Sequence, residues 1–113
     1  MKREGYVTKF DKATAPSGHN GTILAGDVIP AGLTAPFSAA WGYLEGKSMM
    51  EAHSHPSEEF YAVFKGSGFC HVNGERFGVA PGDIVEIPPG APHTMECEEG
   101  SLLWAAFWWK RQE

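Results

Sequence analysis

The sequence predicts an all-β fold, a barrel or sandwich of short strands, on three observations. Fourteen Gly and eight Pro punctuate the whole chain, which favours many short elements over a few long helices. Short apolar stretches recur at regular spacing between turn signals. Asn73-Gly74, between "FCHV" and "ERFGV", supplies the positive φ angles of a two-residue hairpin turn. At 113 residues the chain has the length of one domain and can bury a core without disulfides. The expected layout is a single domain over 1–113, with an arm of short strands over 1–35 ahead of a barrel core over 36–113.

The arm, through "APSGHNGTILAGDVIPAGLTA", is rich in Gly, Pro, Ala and Thr and shows no helical periodicity. "TILAGDVI" predicts one or two short strands, lying on the chain's own sheet or on a partner's. "FSAAWGYLEG" reads as a strand ending at Gly46. In "SMMEAHSH", strand alternation puts Met49, Glu51, His53 and His55 on one face and Met50 and Ala52 on the other. "EFYAVFKG" is an apolar and aromatic strand closed by Lys65-Gly66. The hairpin follows, then the turn "APGD", the strand "IVEIP", the rigid loop "PGAPH", the strand "HTMEC" and the turn "EEGS". "LLWAAFWW" is apolar on both faces; eight residues between a turn and a charged tail suit a strand better than a helix. Such a strand must be covered on both faces. Burying its large aromatic side chains is worth several kcal/mol at about 25 cal/mol per Å². The total is about nine strands.

Hydrophobic residues at 42% and charged residues at 20% describe an ordinary soluble domain. A net charge of −5 argues against nucleic acid as a partner, because neutralising phosphates needs a basic face. No apolar run approaches a membrane span, and residues 1–20 lack a signal-peptide core, so a cytoplasmic location is expected. Cys70 and Cys97 then read as reduced thiols, with Cys70 a small buried hydrophobe.

The chemistry concentrates in "EAHSHPSEEF". His53 and His55, one residue apart on a strand, point the same way and can converge on one ion at metal–nitrogen distances of about 2.0–2.2 Å. Pro56-Ser57-Glu58 makes a short connection, after which Glu59 opens an antiparallel strand beside His55. Alternation turns Glu58 the other way, so Glu59 is the expected carboxylate. His19, His71 and His93 are further candidates. His93 follows a loop stiffened by Pro88, Pro89 and Pro92, the rigid backbone that a preorganised site needs.

These residues carry a resemblance. "GKSMMEAHSHPSEEFYAVFKG" resembles the first cupin motif, with Gly46, His53-x-His55, Glu59 and Gly66 in register. "GDIVEIPPGAPH" resembles the second, with Gly82, Pro88-x-Gly90 and His93. The short spacer from Gly66 to Gly82 is like that of small bacterial single-domain cupins. The resemblance covers residues 46–97 directly. It implies a double-stranded β-helix (jelly-roll) barrel, and one divalent transition metal on His53, His55, Glu59 and His93. Two departures stand out. The gap from Gly46 to His53 is one residue longer than usual, the mark of a bulge or a shifted turn. Where the second motif usually ends in Asn, this chain has Cys97, which alternation places inward with Met95 and His93, near the site or simply packed.

Three imidazoles and a carboxylate suit Fe, Mn, Ni, Co, Cu or Zn. An octahedral ion leaves two positions for substrate; a tetrahedral Zn would instead be structural. Met49, Glu51, Tyr61, Val63 and Met95 share faces with the ligands and are the expected pocket lining. Tyr61 and Glu51 bring polar groups, though a core tyrosine and a solvated glutamate at the mouth are the simpler readings. His71 is expected to be exposed or packed beside its turn. His19 is expected on a surface loop, with folding over the barrel mouth as the alternative. The family implies either a metal-dependent enzyme on a small oxygen-bearing molecule, of the dioxygenase, isomerase or lyase type, or a barrel that binds a small ligand, or is stabilised by its metal, without turnover. The apolar run Leu102–Trp109 and the outward Phe60, Ala62 and Phe64 predict a face-to-face homodimer.

Overall fold

The computed structural model describes residues 2–4, 6–29 and 34–109. Parts of the expected arm (1, 5 and 30–33) and the charged tail at 110–113 lie outside the described residues.

The described residues hold twelve strands and no helix. Four belong to the arm: β1 (Lys2–Glu4), β2 (Val7–Lys9), β3 (Ser17–Gly18) and β4 (Ile23–Asp27). Eight follow: β5 (Phe37–Glu45), β6 (Ser48–Met49), β7 (Glu59–Gly66), β8 (Gly68–Val72), β9 (Glu75–Val79), β10 (Ile84–Ile87), β11 (His93–Cys97) and β12 (Ser101–Trp109). A six-stranded sheet runs β10-β7-β12-β5-β4-β3 and a four-stranded sheet runs β6-β11-β8-β9, while β1 and β2 pair with each other. All pairings are antiparallel. This is the all-β jelly roll expected. The arm's β3 and β4 extend the chain's own six-stranded sheet. The greater number of strands comes from pieces of two or three residues that carry no periodicity of their own.

The hairpin forms as its turn chemistry dictates: Asn73 has φ +52° and Gly74 +82°, and β8 pairs with β9 from Val72↔Glu75 outward. The apolar "LLWAAFWW" becomes the centre of the six-stranded sheet, flanked by β5 and β7. Its even-numbered residues Leu102, Trp104 and Ala106 are buried in the core with Leu44, Tyr61, Val63, Ile87 and Met95. On the opposite side, Phe107 stacks on Phe60 at 5.1 Å and Trp109 meets Phe37 edge-on at 6.0 Å.

Close packing demands glycine at positions 42 and 66, among others. A Cβ on Gly42 would lie 2.2 Å from the Trp104 indole, and one on Gly66, which has φ +77°, would lie 1.7 Å from the Ser101 carbonyl oxygen. Gly42 thus lets Trp104 lie flat against β5, its cross-strand neighbour. Both cysteines are free and buried. Cys97 Sγ faces the Glu99 carbonyl at 3.4 Å, so it packs where the motif's usual Asn would stand. Among the described residues no helix is long and apolar enough to cross a membrane.

Candidate metal centre

The segment carrying His53 and His55 departs from the strand expected of it. Only Ser48–Met49 is regular, pairing with β11 through Met49↔Glu96; the next ladder contact is the bridge His53↔His93. From Met49 to His53 is four steps, whereas from Glu96 to His93 is three. One extra residue is therefore accommodated as a bulge, which is what the long Gly46–His53 spacing signals.

The bulge corrects the pocket lining read from strict alternation. It reverses the parity of the residues before it, so Met50 turns inward, buried and on the cavity wall. Met49 turns outward and is 44% exposed. Glu51 is exposed and not on the wall; its carboxylate accepts a hydrogen bond from Asn20 Nδ2 at 2.7 Å. Met95 is fully buried, in the core and not on the cavity surface. Of the five residues expected there, Tyr61 does line the cavity. Val63 is likewise a core residue.

A second correction concerns Glu59. Its strand, β7, pairs with β10 and β12 rather than with the histidine segment, so the carboxylate reaches the histidines from the facing sheet. Its choice over Glu58 fits the burial. Glu59 is 5% exposed, while Glu58 is exposed beside Phe60 and Trp109 on the outside of the barrel.

One donor atom each from His53, His55, Glu59 and His93 lies within 4.8 Å of all the others, a grouping able to hold a metal ion. The backbone fixes which nitrogen each ring presents. Nδ1 of His53 lies 3.1 Å from the Glu51 carbonyl, Nδ1 of His55 2.9 Å from that of Ser57, and Nδ1 of His93 2.9 Å from that of Ala91. A carbonyl oxygen only accepts, so each Nδ1 carries the proton and donates it. Each Nε2 is left with its lone pair. The same loops are tied together: Gly90 N–H donates to the His55 carbonyl at 2.7 Å, and His53 and His93 exchange two backbone bonds at 2.9 and 3.1 Å. The proline-stiffened loop thus orients two of the four converging donors at once.

Two of those nitrogens crowd one carboxylate oxygen. Glu59 Oε1 is 2.8 Å from His55 Nε2 and 3.0 Å from His93 Nε2. His93 is 1% exposed, and its Nε2 has no hydrogen-bond partner; the approach to Glu59 has the distance of one without the geometry. A buried lone pair facing a carboxylate is repulsive unless a cation lies between them. The donor set therefore fits a metal ion on its own chemistry, with the second sphere of Nδ1–carbonyl bonds that metal-bound histidines require. Burial raises the Glu59 carboxyl; when His93 and His55 carry a second proton, their donated bonds and charge outweigh burial and hold it below the usual range. Burial pushes the His53 imidazole down, which keeps its lone pair free near neutrality.

The donors open into a cavity of about 310 Å³, walled by apolar side chains that include Ile23, Ala40, Met50, Trp104 and Ala106. Tyr61 contributes a hydroxyl that burial, reinforced by the Glu59 charge, keeps protonated by raising it well above its ordinary value of 10.0. His19 was expected on a surface loop. Its turn is exposed, yet the ring also lines the cavity and stacks on His53 with centroids 4.1 Å apart. Burial of the stacked face pushes its imidazole down. No spacing rule links residue 19 to 53; the connection is made only by the sheet. His71 is half-buried and bonded to Glu96 at 2.8 Å, away from the centre.

Comparison with known proteins places this geometry. A family model described as a cupin domain matches residues 41–106, more than half of the chain. An uncharacterized protein of Methanocaldococcus jannaschii is 29% identical over 92 residues, 79% of this chain and 73% of its own length. An acireductone dioxygenase of Coprinopsis cinerea is 29% identical over 109 residues, 91% of this chain; the chain spans 58% of that enzyme's length. Among solved structures, a cupin 2 conserved barrel domain protein from Salinispora arenicola superimposes with a TM-score of 0.82 at 23% identity, over 96% of this chain and 91% of that one. The chain belongs to the cupin family.

Proposed function

We propose that the chain is a metal-dependent enzyme acting on a small, partly apolar molecule that offers oxygen atoms to the ion. One divalent transition metal is held by His53, His55, Glu59 and His93. The observation that carries this reading is the tautomer set: three carbonyl-anchored rings turn three Nε2 lone pairs and one carboxylate toward a common point. The similarity to a dioxygenase over 91% of the chain favours dioxygenase chemistry among the types that cupins support.

When bound, the metal supplies Lewis acidity or a redox centre. The chain's own groups do the rest. The three carbonyl bonds keep the imidazoles in place, so little reorganisation accompanies binding. Trp104, Ala106 and Met50 exclude water around the apolar part of the ligand, which strengthens the electrostatics at its polar end. Tyr61, protonated beside Glu59, holds a proton at its hydroxyl for hydrogen bonding near the centre.

The test is elemental analysis of the native protein together with melting in the presence of Fe, Mn, Ni, Co, Cu or Zn. A metal at a thousandfold excess over its Kd stabilises by about 4 kcal/mol. His53→Ala and His93→Ala should abolish that gain while the barrel still folds. A protein that carries no metal and gains nothing from any of the six ions refutes the reading. Metal removal that unfolds the chain, with no turnover from any substrate panel, would assign the ion a structural role.

A homodimer completes the proposal. The outer face of the six-stranded sheet leaves Phe60 and Trp109 about half exposed above fully buried Ala105. A second copy laid on the same face by a two-fold axis covers identical surfaces with each other.

A further inference from the structure

His19 is the feature that the metal reading does not use. It sits in the turn between β3 and β4, with φ +49°, followed by Asn20 at +59°. Two successive non-glycine residues in the left-handed region are uncommon and persist where the surroundings hold them. Here the surroundings are explicit. Asn20 Nδ2 donates to Glu51 Oε2 at 2.7 Å; Glu51 N–H donates to Thr22 Oγ1 at 2.9 Å; Thr22 Oγ1–H donates to the His19 carbonyl at 2.7 Å. The turn is thus clamped to the residue whose carbonyl orients His53. The same clamp sets His19 on His53, with centroids 4.1 Å apart and ring planes 29° apart.

His19 is not one of the four converging donors. Yet it lines the cavity that they open into. Among the described residues neither of its ring nitrogens takes a hydrogen bond, so both remain available. Of the cavity's other polar side chains, Tyr61 is 2% exposed, Ser57 faces His55 Nδ1 at 3.4 Å, and Trp41 Nε1 is buried without a hydrogen-bond partner, so His19 is the one that reaches the exposed turn. Much of the remaining wall is aliphatic or aromatic, including Ile23, Ala25, Ala40 and Met50.

We propose that His19 orients the substrate by hydrogen bonding, from the cavity mouth, to a second polar group on a molecule whose first is bound at the metal. The substrate class is then a small molecule with oxygen donors at one end, an apolar body and a hydroxyl, carbonyl or carboxylate at the other. This rests on the metal-centre reading above.

The test uses protein loaded with Co(II) and two chelating probes read by their visible spectra. 4-Nitrocatechol has two oxygen donors and a distal acceptor; catechol lacks the acceptor. Co(II) should bind His19→Phe within about threefold of wild type, because the ring is not a ligand, and 4-nitrocatechol should bind five- to twentyfold more weakly, about the worth of one hydrogen bond. Catechol should change less than about threefold, and His19→Gln should recover part of the loss. Equal losses for both probes, or none for either, overturn the inference and leave His19 as packing. Loss of Co(II) as severe as in His53→Ala overturns it by making His19 a ligand. Wild-type protein that holds Co(II) but excludes 4-nitrocatechol overturns it while sparing the metal reading. Wild-type protein that holds neither Co(II) nor any of the other five ions refutes both.

Discussion

Replacing Gly42 by Ala tests whether the sheet and the cavity share one wall. In an ordinary strand this change is favourable by about 0.5–1 kcal/mol, because Ala loses less backbone freedom on folding. Here the added Cβ would stand 2.2 Å from Trp104 Cε2, 2.3 Å from Cζ2 and 2.6 Å from Nε1. Carbon atoms settle at about 3.5–4.0 Å, so the ring has to retreat by more than about 1 Å. The strands cannot separate cheaply, since β5 and β12 pair along nine consecutive positions from Ser101↔Glu45 to Trp109↔Phe37. The indole therefore moves, and the open space beside it is the 310 Å³ cavity. Overpacking of this kind costs about 1–3 kcal/mol, so a net loss of about 2 kcal/mol is expected, lowering Tm by roughly 5–15 °C. Urea unfolding followed by tryptophan fluorescence measures it. A second consequence is specific to this geometry: metal affinity stays as it was, because no ligand touches Gly42, while a cavity-filling chelator binds more weakly. Stability equal to or above wild type would refute the packing argument, and unchanged chelator binding would refute the shared wall.

Glu59→Gln should weaken metal binding by at least about a hundredfold, whereas Glu58→Gln, on the outside of the barrel, should leave it within about twofold; competition with a chromophoric chelator separates them. Metal affinity should fall as pH drops from 7 to 5, because the imidazoles must be neutral to bind; Glu59, held below the usual carboxylate range, stays ionised over that window and adds nothing to the slope. Burial raises the Cys70 thiol to about 12, so almost no thiolate exists at pH 8, and alkylation of the native protein by iodoacetamide should leave Cys70 unmodified until urea unfolds the chain. Light scattering should give twice 12.3 kDa for the wild type, and Phe60→Asp with Trp109→Asp should halve it; a wild-type mass of 12.3 kDa removes the dimer.

Most of the barrel was legible because its strands announce themselves by alternation and by turn residues with definite backbone demands, as at Asn73-Gly74. The four converging residues were legible for a different reason: two motifs with fixed spacing bring them into register. What alternation misread was local to one irregularity. The extra residue before His53 was visible as a spacing anomaly, but its effect, moving Met50 rather than Met49 onto the cavity wall, needed the pairing partner to be seen. Glu59 does converge with the three histidines, but from a different sheet than expected, since its connection to His55 is short enough to suggest a hairpin. His19 was illegible as part of the cavity wall. Its approach depends on β4 joining β5 and on a clamp to Glu51, neither of which leaves a periodic signal.

The proton positions on the three imidazoles are dictated by main-chain carbonyls, at Glu51, Ser57 and Ala91, and not by neighbouring side chains. A mutation can delete a side-chain carboxylate, but no point substitution deletes a peptide oxygen. The coordination chemistry is thereby insulated from sequence drift in the walls around it. Residues such as Ile23, Ala40 and Ala106 could vary in size and shape while an ion held by the four donors would see the same set. On the proposed reading, selectivity and reactivity would lie on separate parts of this chain, and a redesign of one need not begin by repairing the other.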